Sequence, residues 1–247
     1  MCCIVSSLIM SLLNIKPLLN KKAMGMALFG FSAGLPLLLI FSTLSVWLVK
    51  AGVERSTITL FSWAGFAYSF KFLWSPIVDH CRLPFLYKMG HRKSWLFLSQ
   101  LMIILSIILT SYTDPSQNLI YTAIAVVLIA FSSATQDIVI DAFRIESDSI
   151  KKQGALSSMY LAGYRIAMIV SGAGSLWLAS YFGVDTYDTN TWKKVYQMMA
   201  CLMLVGIFAT YISKEPSIIK KRKTSSQISF FLALVVSVVI FFLIYNF

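Results

Sequence analysis

Charge is scarce in this chain. Of its 247 residues only 13% are Asp, Glu, Lys or Arg, roughly half the share of an ordinary soluble domain. Acids are rarer still, 10 against 21 basic residues, for a formal net charge of +11. Together with a hydrophobic content of 58%, this excludes a soluble globular protein and points to an integral membrane protein. The basic excess does not describe a nucleic-acid binder. Lys and Arg sit in short stretches between long apolar runs, not along one stripe of a soluble domain.

Other absences narrow the reading further. The four cysteines form no disulfide framework, because Cys2 and Cys3 open the chain, Cys81 lies in a basic loop and Cys201 in an apolar segment. His80, Cys81 and His91 lack the spacing of a metal site, and no cofactor or metal is expected. There is no P-loop or zincin motif, and no nucleophile elbow is expected. The polar groups that could do chemistry lie deep in apolar runs, which suits a conduit better than an enzyme. Residues 1–15 have no basic n-region or clear cleavage site, so a cleaved signal peptide is not expected. Ile4–Ile15 is also too short to cross a bilayer.

What is present is a series of long apolar segments. Seven spans are expected: Met24–Val49, Ile58–Val78, Trp95–Thr113, Leu119–Ile140, Ala155–Phe182, Val195–Ile212 and Ile228–Tyr245. Each reaches or approaches the ~20 residues needed to cross the hydrocarbon core. The expected class is an all-α polytopic membrane protein. Its parts are an N-terminal segment 1–23, a six-helix bundle 24–213, a basic linker 214–227 and a seventh helix 228–247. With the N-terminus cytoplasmic, the inner segments collect most Lys and Arg, while the outer loops hold only Lys50, Arg55, Lys193 and Lys194. That is a strong positive-inside bias. Trp47, Tyr112, Tyr181 and Trp192 fall near the outer boundary and Trp95 near the inner one, as an interfacial belt would.

The fourth span carries the most informative pattern. It runs uncharged from Pro115 to Gln136 and continues as Asp137-Ile138-Val139-Ile140-Asp141-Ala142-Phe143-Arg144. At 100° per residue Asp137, Asp141 and Arg144 fall within about 60° of one another. A carboxylate in hydrocarbon costs at least ~2.5 kcal/mol, so this stripe should face a bundle interior or a water-filled cavity. Lys71 lies about 10 Å deep in the second span, and Arg165 about 15 Å from the inner end of the fifth. These cations should compensate the acids, with at least one direct pair. Either the cluster is a structural salt-bridge network, or Asp137 or Asp141 titrates and couples proton entry to substrate movement. Tyr160 and Tyr164, at i and i+4 beside Arg165, form either core packing or a stacking platform for sugar rings.

Two further features have a possible mechanical reading. Gly30 and Gly34 are spaced for close helix packing, with Pro36 just beyond. Asp79, closing one span, faces Gly90-His91-Arg92-Lys93, opening the next, as in a gate held by ion pairs and helix dipoles.

Several stretches resemble a known family. They are Gly30 to Trp47 (GFSAGLPLLLIFSTLSVW), Phe70 to Asp79 (FKFLWSPIVD) and Ser132 to Glu146 (SSATQDIVIDAFRIE), followed by Gln153-Gly154-Ala155 and Gly163-Tyr164-Arg165. They are similar to the AmpG muropeptide permeases of the major facilitator superfamily, with acetyl-CoA transporters as more distant relatives. The resemblance covers roughly Met24 to Pro216 and implies a multi-pass importer of the bacterial inner membrane. It implies proton-coupled uptake of anhydromuropeptides for peptidoglycan recycling, with acyl-CoA-type cargo as the alternative. The implied coupling or substrate residues are Asp137, Asp141, Arg165, Lys71, Arg144, Gln136 and Tyr164. Asp79, Gly90, Arg92 and Lys93 would form the cytoplasmic gate. Such facilitators have twelve or more spans in two halves with the cargo between them. The chain therefore resembles a carrier cut short after about seven helices, completed by a second half-carrier chain or a second copy, or unable to transport alone. Its partners would be the lipid bilayer, protons and a small muropeptide-like molecule.

Overall fold

The computed structural model describes residues 20–84, 86–183 and 187–216. The seventh span expected at Ile228–Tyr245 lies outside them, as do most of segment 1–23 and of linker 214–227. Five helices among the described residues are long and apolar enough to cross a membrane. They are α1 (Lys21–Lys50), α5 (His91–Ser111), α6 (Leu119–Ser147), α7 (Ile150–Phe182) and α8 (Thr189–Ile212).

The span expected at Ile58–Val78 is instead broken. Residues 55–80 form α2 (Arg55–Leu60), α3 (Gly65–Ser69) and α4 (Ser75–His80), joined by 3-10 turns at Phe61–Ala64 and Lys71–Leu73. The sequence explains why. Pro76 has no N–H for the Phe72 carbonyl four residues back, and the Ser75 hydroxyl donates to that carbonyl instead, at 3.2 Å. Gly65, Ser69 and a run of aromatics add poor helix formers upstream. The segment still packs on α6: the Trp74 indole N–H donates to Thr135 Oγ1 at 3.1 Å, and its ring lies 4.7 Å from that of Phe131.

The long helices pack so that α1 contacts α6, α7 and α8, while α5 contacts α6 and α8. The α1–α7 seam is the tightest. Gly30 lies against the backbone of Tyr160, Gly34 against that of Tyr164, and Gly163 against the Ala27 carbonyl. A Cβ at any of the three would overlap main-chain atoms of the facing helix. Further along, each helix carries one π turn, Leu39–Thr43 in α1 and Val170–Gly174 in α7. The first follows Pro36, whose missing N–H disturbs the regular ladder and whose strain the extra residue absorbs. The second sits opposite, and the Thr43 hydroxyl bonds the Ser171 carbonyl at 2.7 Å. The α1 π turn thus supplies a donor to a main-chain carbonyl of the α7 π turn.

Outward faces are apolar. Leu105, Leu109, Ile124, Val127, Phe131, Leu204 and Phe208 are all exposed, a surface costly in water and suited to acyl chains. Buried polar side chains are largely paired within the bundle: Gln136 Nε2 donates to Ser32 Oγ at 2.7 Å, and Thr210 Oγ1 to Gln100 Oε1 at 2.9 Å.

The expected aromatic belt is corrected at two positions. Trp47 and Trp192 are buried, stacked on each other with ring centroids 5.7 Å apart, and Tyr196 joins them at 5.0 Å from Trp47. They lie near the ends of α1 and α8 but face inward, because hydropathy locates depth and not facing. Tyr112 and Tyr181 do face outward.

A polar clasp closes this end of the bundle. The Trp47 indole N–H donates to the Tyr187 hydroxyl at 3.2 Å, which donates to Asp114 Oδ1 at 2.9 Å. Partial burial pushes the Asp114 carboxyl up, but hydrogen bonds from Ser116, Tyr187 and Thr189 outweigh it and hold the group below its usual range. A depressed folded pKa contributes stability that is present above the ordinary value, near 4, and lost as pH falls through the folded one. Asp114→Asn is therefore expected to lower the melting temperature at pH 7, with the gap to wild type closing below about pH 4. Parallel thermal melts across pH 3 to 7 read this, and a gap that widened on acidification would contradict it.

Candidate functional site

Two clusters of charged residues in the bundle share a cavity. The first lies where α6 meets the turn at Lys71. Asp137 and Asp141 are one helical turn apart on α6, so both carboxylates reach the same side. The Lys71 ammonium stands 3.9 Å from an oxygen of each. Arg144, three residues beyond Asp141, bonds it at 3.1 Å. Two acids and two bases therefore compensate one another at membrane depth, where an unpaired charge would be costly. The break at Pro76 bears on this geometry, since Lys71 sits in a 3-10 turn and not in a continuous helix.

The two carboxylates are not equivalent. The Asp137 side chain is 14% exposed and that of Asp141 47%. Asp137 Oδ1 is buried with no hydrogen-bond partner in the protein. A buried acceptor without a donor carries a desolvation cost that a proton or an ordered water would remove.

Tyrosines continue the wall onto α7. The Arg144 guanidinium lies 5.7 Å over the Tyr160 ring, and the Tyr160 and Tyr164 centroids are 5.9 Å apart. Two residues of the expected set stand apart from these acids. Gln136 is fully buried and turned toward Ser32 of α1. Arg165 is exposed, and no acidic group lies within salt-bridge distance of it among the described residues. The expectation that Arg165 compensates the α6 acids is corrected by Lys71 and Arg144 filling that role.

The second cluster joins α4, α5 and α6. Arg92 is buried to 9% exposure. It bonds Asp79 through Nη1 at 2.7 Å and forks onto Glu146 through Nη2 at 2.7 Å and Nε at 3.1 Å. Glu215, just beyond α8, accepts the backbone N–H groups of Arg92 at 2.8 Å and Lys93 at 3.1 Å. A carboxylate there satisfies free N–H groups at the start of α5 and complements its dipole. Gly90 makes this possible: its φ is +102°, and a Cβ would run into the Glu215 carboxylate. Lys93 Nζ reaches the Tyr211 carbonyl at 3.4 Å.

Glu146 and Glu215 were not assigned a role from sequence. The available signal was their sign, since each is an acid in a segment otherwise dominated by Lys and Arg.

A cavity of about 320 Å³ connects the two clusters. Lys71, Ser75 and Asp141 line it from the first cluster and Asp79, Arg92 and Glu146 from the second, with Ile138, Ala142 and Ile145 as its apolar wall on α6. Water or a small solute in it would touch Lys71 and Asp141 of the first cluster and the Arg92 clasp of the second.

Residues 25–237 match the family model described as acetyl-coenzyme A transporter 1. The chain belongs to that family. Within it the chain is similar to proteins named for AmpG. It is 36% identical over 209 residues to "Putative transporter AmpG 4" of Rickettsia felis, covering 84% of this chain and 49% of the relative. It is 38% identical over 191 residues to "Anhydromuropeptide permease" of Escherichia coli K12, covering 77% and 37%. "Putative transporter AmpG 3" of Rickettsia prowazekii is 36% identical over 206 residues, covering 83% and 47%. The chain spans about half the length, or less, of these curated relatives. The names describe transporters and permeases, not enzymes. With its apolar helices, this makes the AmpG-like chain a multi-pass membrane protein of a transporter family.

Proposed function

We propose that this chain supplies the proton- and substrate-handling half of an AmpG-like carrier that imports anhydromuropeptides across the bacterial inner membrane. The N-terminus and the Arg92 end of the bundle are cytoplasmic in this reading, which the distribution of Lys and Arg supports. The AmpG relatives are about twice as long, so in this reading the transport path has a further wall that these 247 residues do not supply.

One observation carries the proposal: Lys71 stands equidistant from Asp137 and Asp141 at the head of a cavity that ends at the Arg92 clasp. Asp137, Asp141, Lys71 and Arg144 together are neutral when both acids are ionised. One proton makes the group net positive, and in a medium of low dielectric that charge needs an anion. Proton binding and anionic cargo thus favour each other, which is coupling in its thermodynamic sense. Protonation also frees Lys71 from one acid, giving the wall two charge arrangements.

At the cytoplasmic end, Asp79, Gly90, Arg92 and Lys93 form the gate, with Glu146 and Glu215 as its acidic counterparts. These groups meet across α4, α5, α6 and the end of α8, so opening the path must break ion pairs there.

The test is uptake of labelled anhydromuropeptide into membrane vesicles, with and without a proton gradient. Wild type should accumulate it only with the gradient. Asp137→Asn, fixed in the neutral form, should lose that dependence, and unchanged dependence would remove Asp137 from the mechanism. A second reading, acyl-CoA-type cargo, is favoured by the family model's description. It predicts accumulation of labelled acetyl-CoA in the same vesicles and none of the muropeptide.

A further inference from the structure

Arg165 has a different situation from every other cation at depth in the bundle. It lies near the middle of α7, ~22 Å from one helix end and ~25 Å from the other at 1.5 Å per residue. Lys71 and Arg144 have carboxylate partners within 4 Å, but Arg165 has none among the described residues. Its polar contact is Met168 Sδ at 3.8 Å, a weak acceptor.

Its position on the helix explains the openness. Gly163 and Ala167 face α1 and are buried. Arg165, two residues from each, points away from that seam. Gly154, Ser158 and Ala162 share its side of α7 with Leu161 and Ile169, all of them exposed, and nothing lies within 4 Å of a Cβ built on Gly154. Of the five span-length helices α7 has the lowest mean hydropathy, 1.2, and the smallest buried share, 28%. Leu161 and Ile169 on this face would tolerate acyl chains, but an exposed guanidinium at mid-helix with no acidic partner among the described residues would not. It suits a wet path, where five N–H donors lack an acceptor.

We propose that Arg165 is the anion anchor of the cargo path, holding a carboxylate of the cargo in a two-pronged hydrogen bond. This deepens the proposed function and rests on it. The cations of the α6 cluster are already held by Asp137 and Asp141, so a second anion near them would meet like charge. Arg165 offers an unspent positive charge on α7, next in the chain to Tyr164, whose ring lies 5.9 Å from that of Tyr160, the ring under Arg144. Arg, and not Lys, suits the role, since its planar fork matches a carboxylate.

The test measures binding to the full chain in lipid nanodiscs, using a labelled anhydromuropeptide with free peptide carboxylates and the same molecule with those carboxylates amidated. Arg165→Gln is expected to weaken binding of the free acid by about 10- to 100-fold, the range of charge-assisted hydrogen bonds. It should leave binding of the amidated form unchanged. Arg165→Lys should recover part of the loss, which a merely misfolded variant would not allow. Equal weakening of both probes by Arg165→Gln, or weakening of neither, overturns the assignment. If wild type binds acetyl-CoA and no muropeptide, the function reading fails by itself. Arg165 then stands as an anion anchor if Arg165→Gln weakens acetyl-CoA binding to a similar degree, and falls if it does not. Binding of neither probe by wild type overturns both.

Discussion

Gly163→Ala should destabilise the bundle by about 3 kcal/mol, a large effect for one methyl group. The new Cβ would overlap the Ala27 carbonyl, a main-chain group that no rotamer change can move aside. Relief requires α1 and α7 to separate, and the separation would spread along the seam. Gly30 and Gly34 meet the Tyr160 and Tyr164 backbone there, and Thr43 holds the Ser171 carbonyl farther on. The internal control is Gly154→Ala on the same helix, where nothing lies within 4 Å of the added carbon. That change should be neutral or stabilising by up to about 1 kcal/mol, because alanine is the better helix former. Melting temperatures of the two variants in the same detergent compare them directly. Equal values would mean that the seam is not close-packed.

The second large effect is at Arg92. Arg92→Gln removes the partner of Asp79 and the forked partner of Glu146 in one step. Breaking a fully buried pair costs about 3–5 kcal/mol, because the remaining charge is left uncompensated. Here the Asp79 and Glu146 side chains keep 29% and 24% exposure, so about 2 kcal/mol is the reasonable expectation after solvent screening. The double variant Arg92→Gln with Glu146→Gln should recover more than half of that loss, since it removes one of the stranded charges. No recovery would show that Arg92 acts through packing of its stem and not through charge.

Much of the molecule was legible in the order of its residues, for reasons that also mark the limit of such reading. The 3.6-residue period alone put Asp137, Asp141 and Arg144 on one stripe, and the structure has Lys71 facing both acids. Asp79 and Arg92 were paired from opposite charges at adjoining helix ends, and they meet at 2.7 Å. Periodicity describes a face but not what lies across from it. Arg165 and Gln136 show this: each has a helical position that sequence supplies and a partner, or lack of one, set by the neighbouring helix. Glu215 was missed for the same reason, since its contact with the start of α5 depends on where α8 ends in space.

Hydropathy had a different blind spot. Residues 58–78 are apolar enough for a span, but apolar count says nothing of backbone continuity. Pro76 and the Ser75 hydroxyl interrupt the ladder there. Trp47 and Trp192 were likewise read as boundary residues, and both are buried inside the bundle.

The account depends on the α6 acids bordering a water-filled space. On a background without native cysteines, Ala142→Cys and Val127→Cys place one thiol each on the same helix. Ala142 lines the cavity beside Asp141, whereas Val127 is exposed on the apolar outer surface. Membranes treated with a charged, membrane-impermeant maleimide from the side of the Arg92 cluster should label the thiol at 142 and leave that at 127 unmodified. Protection of position 142 with free labelling at 127 would place the acids in a dry or lipid-facing setting and contradict the account.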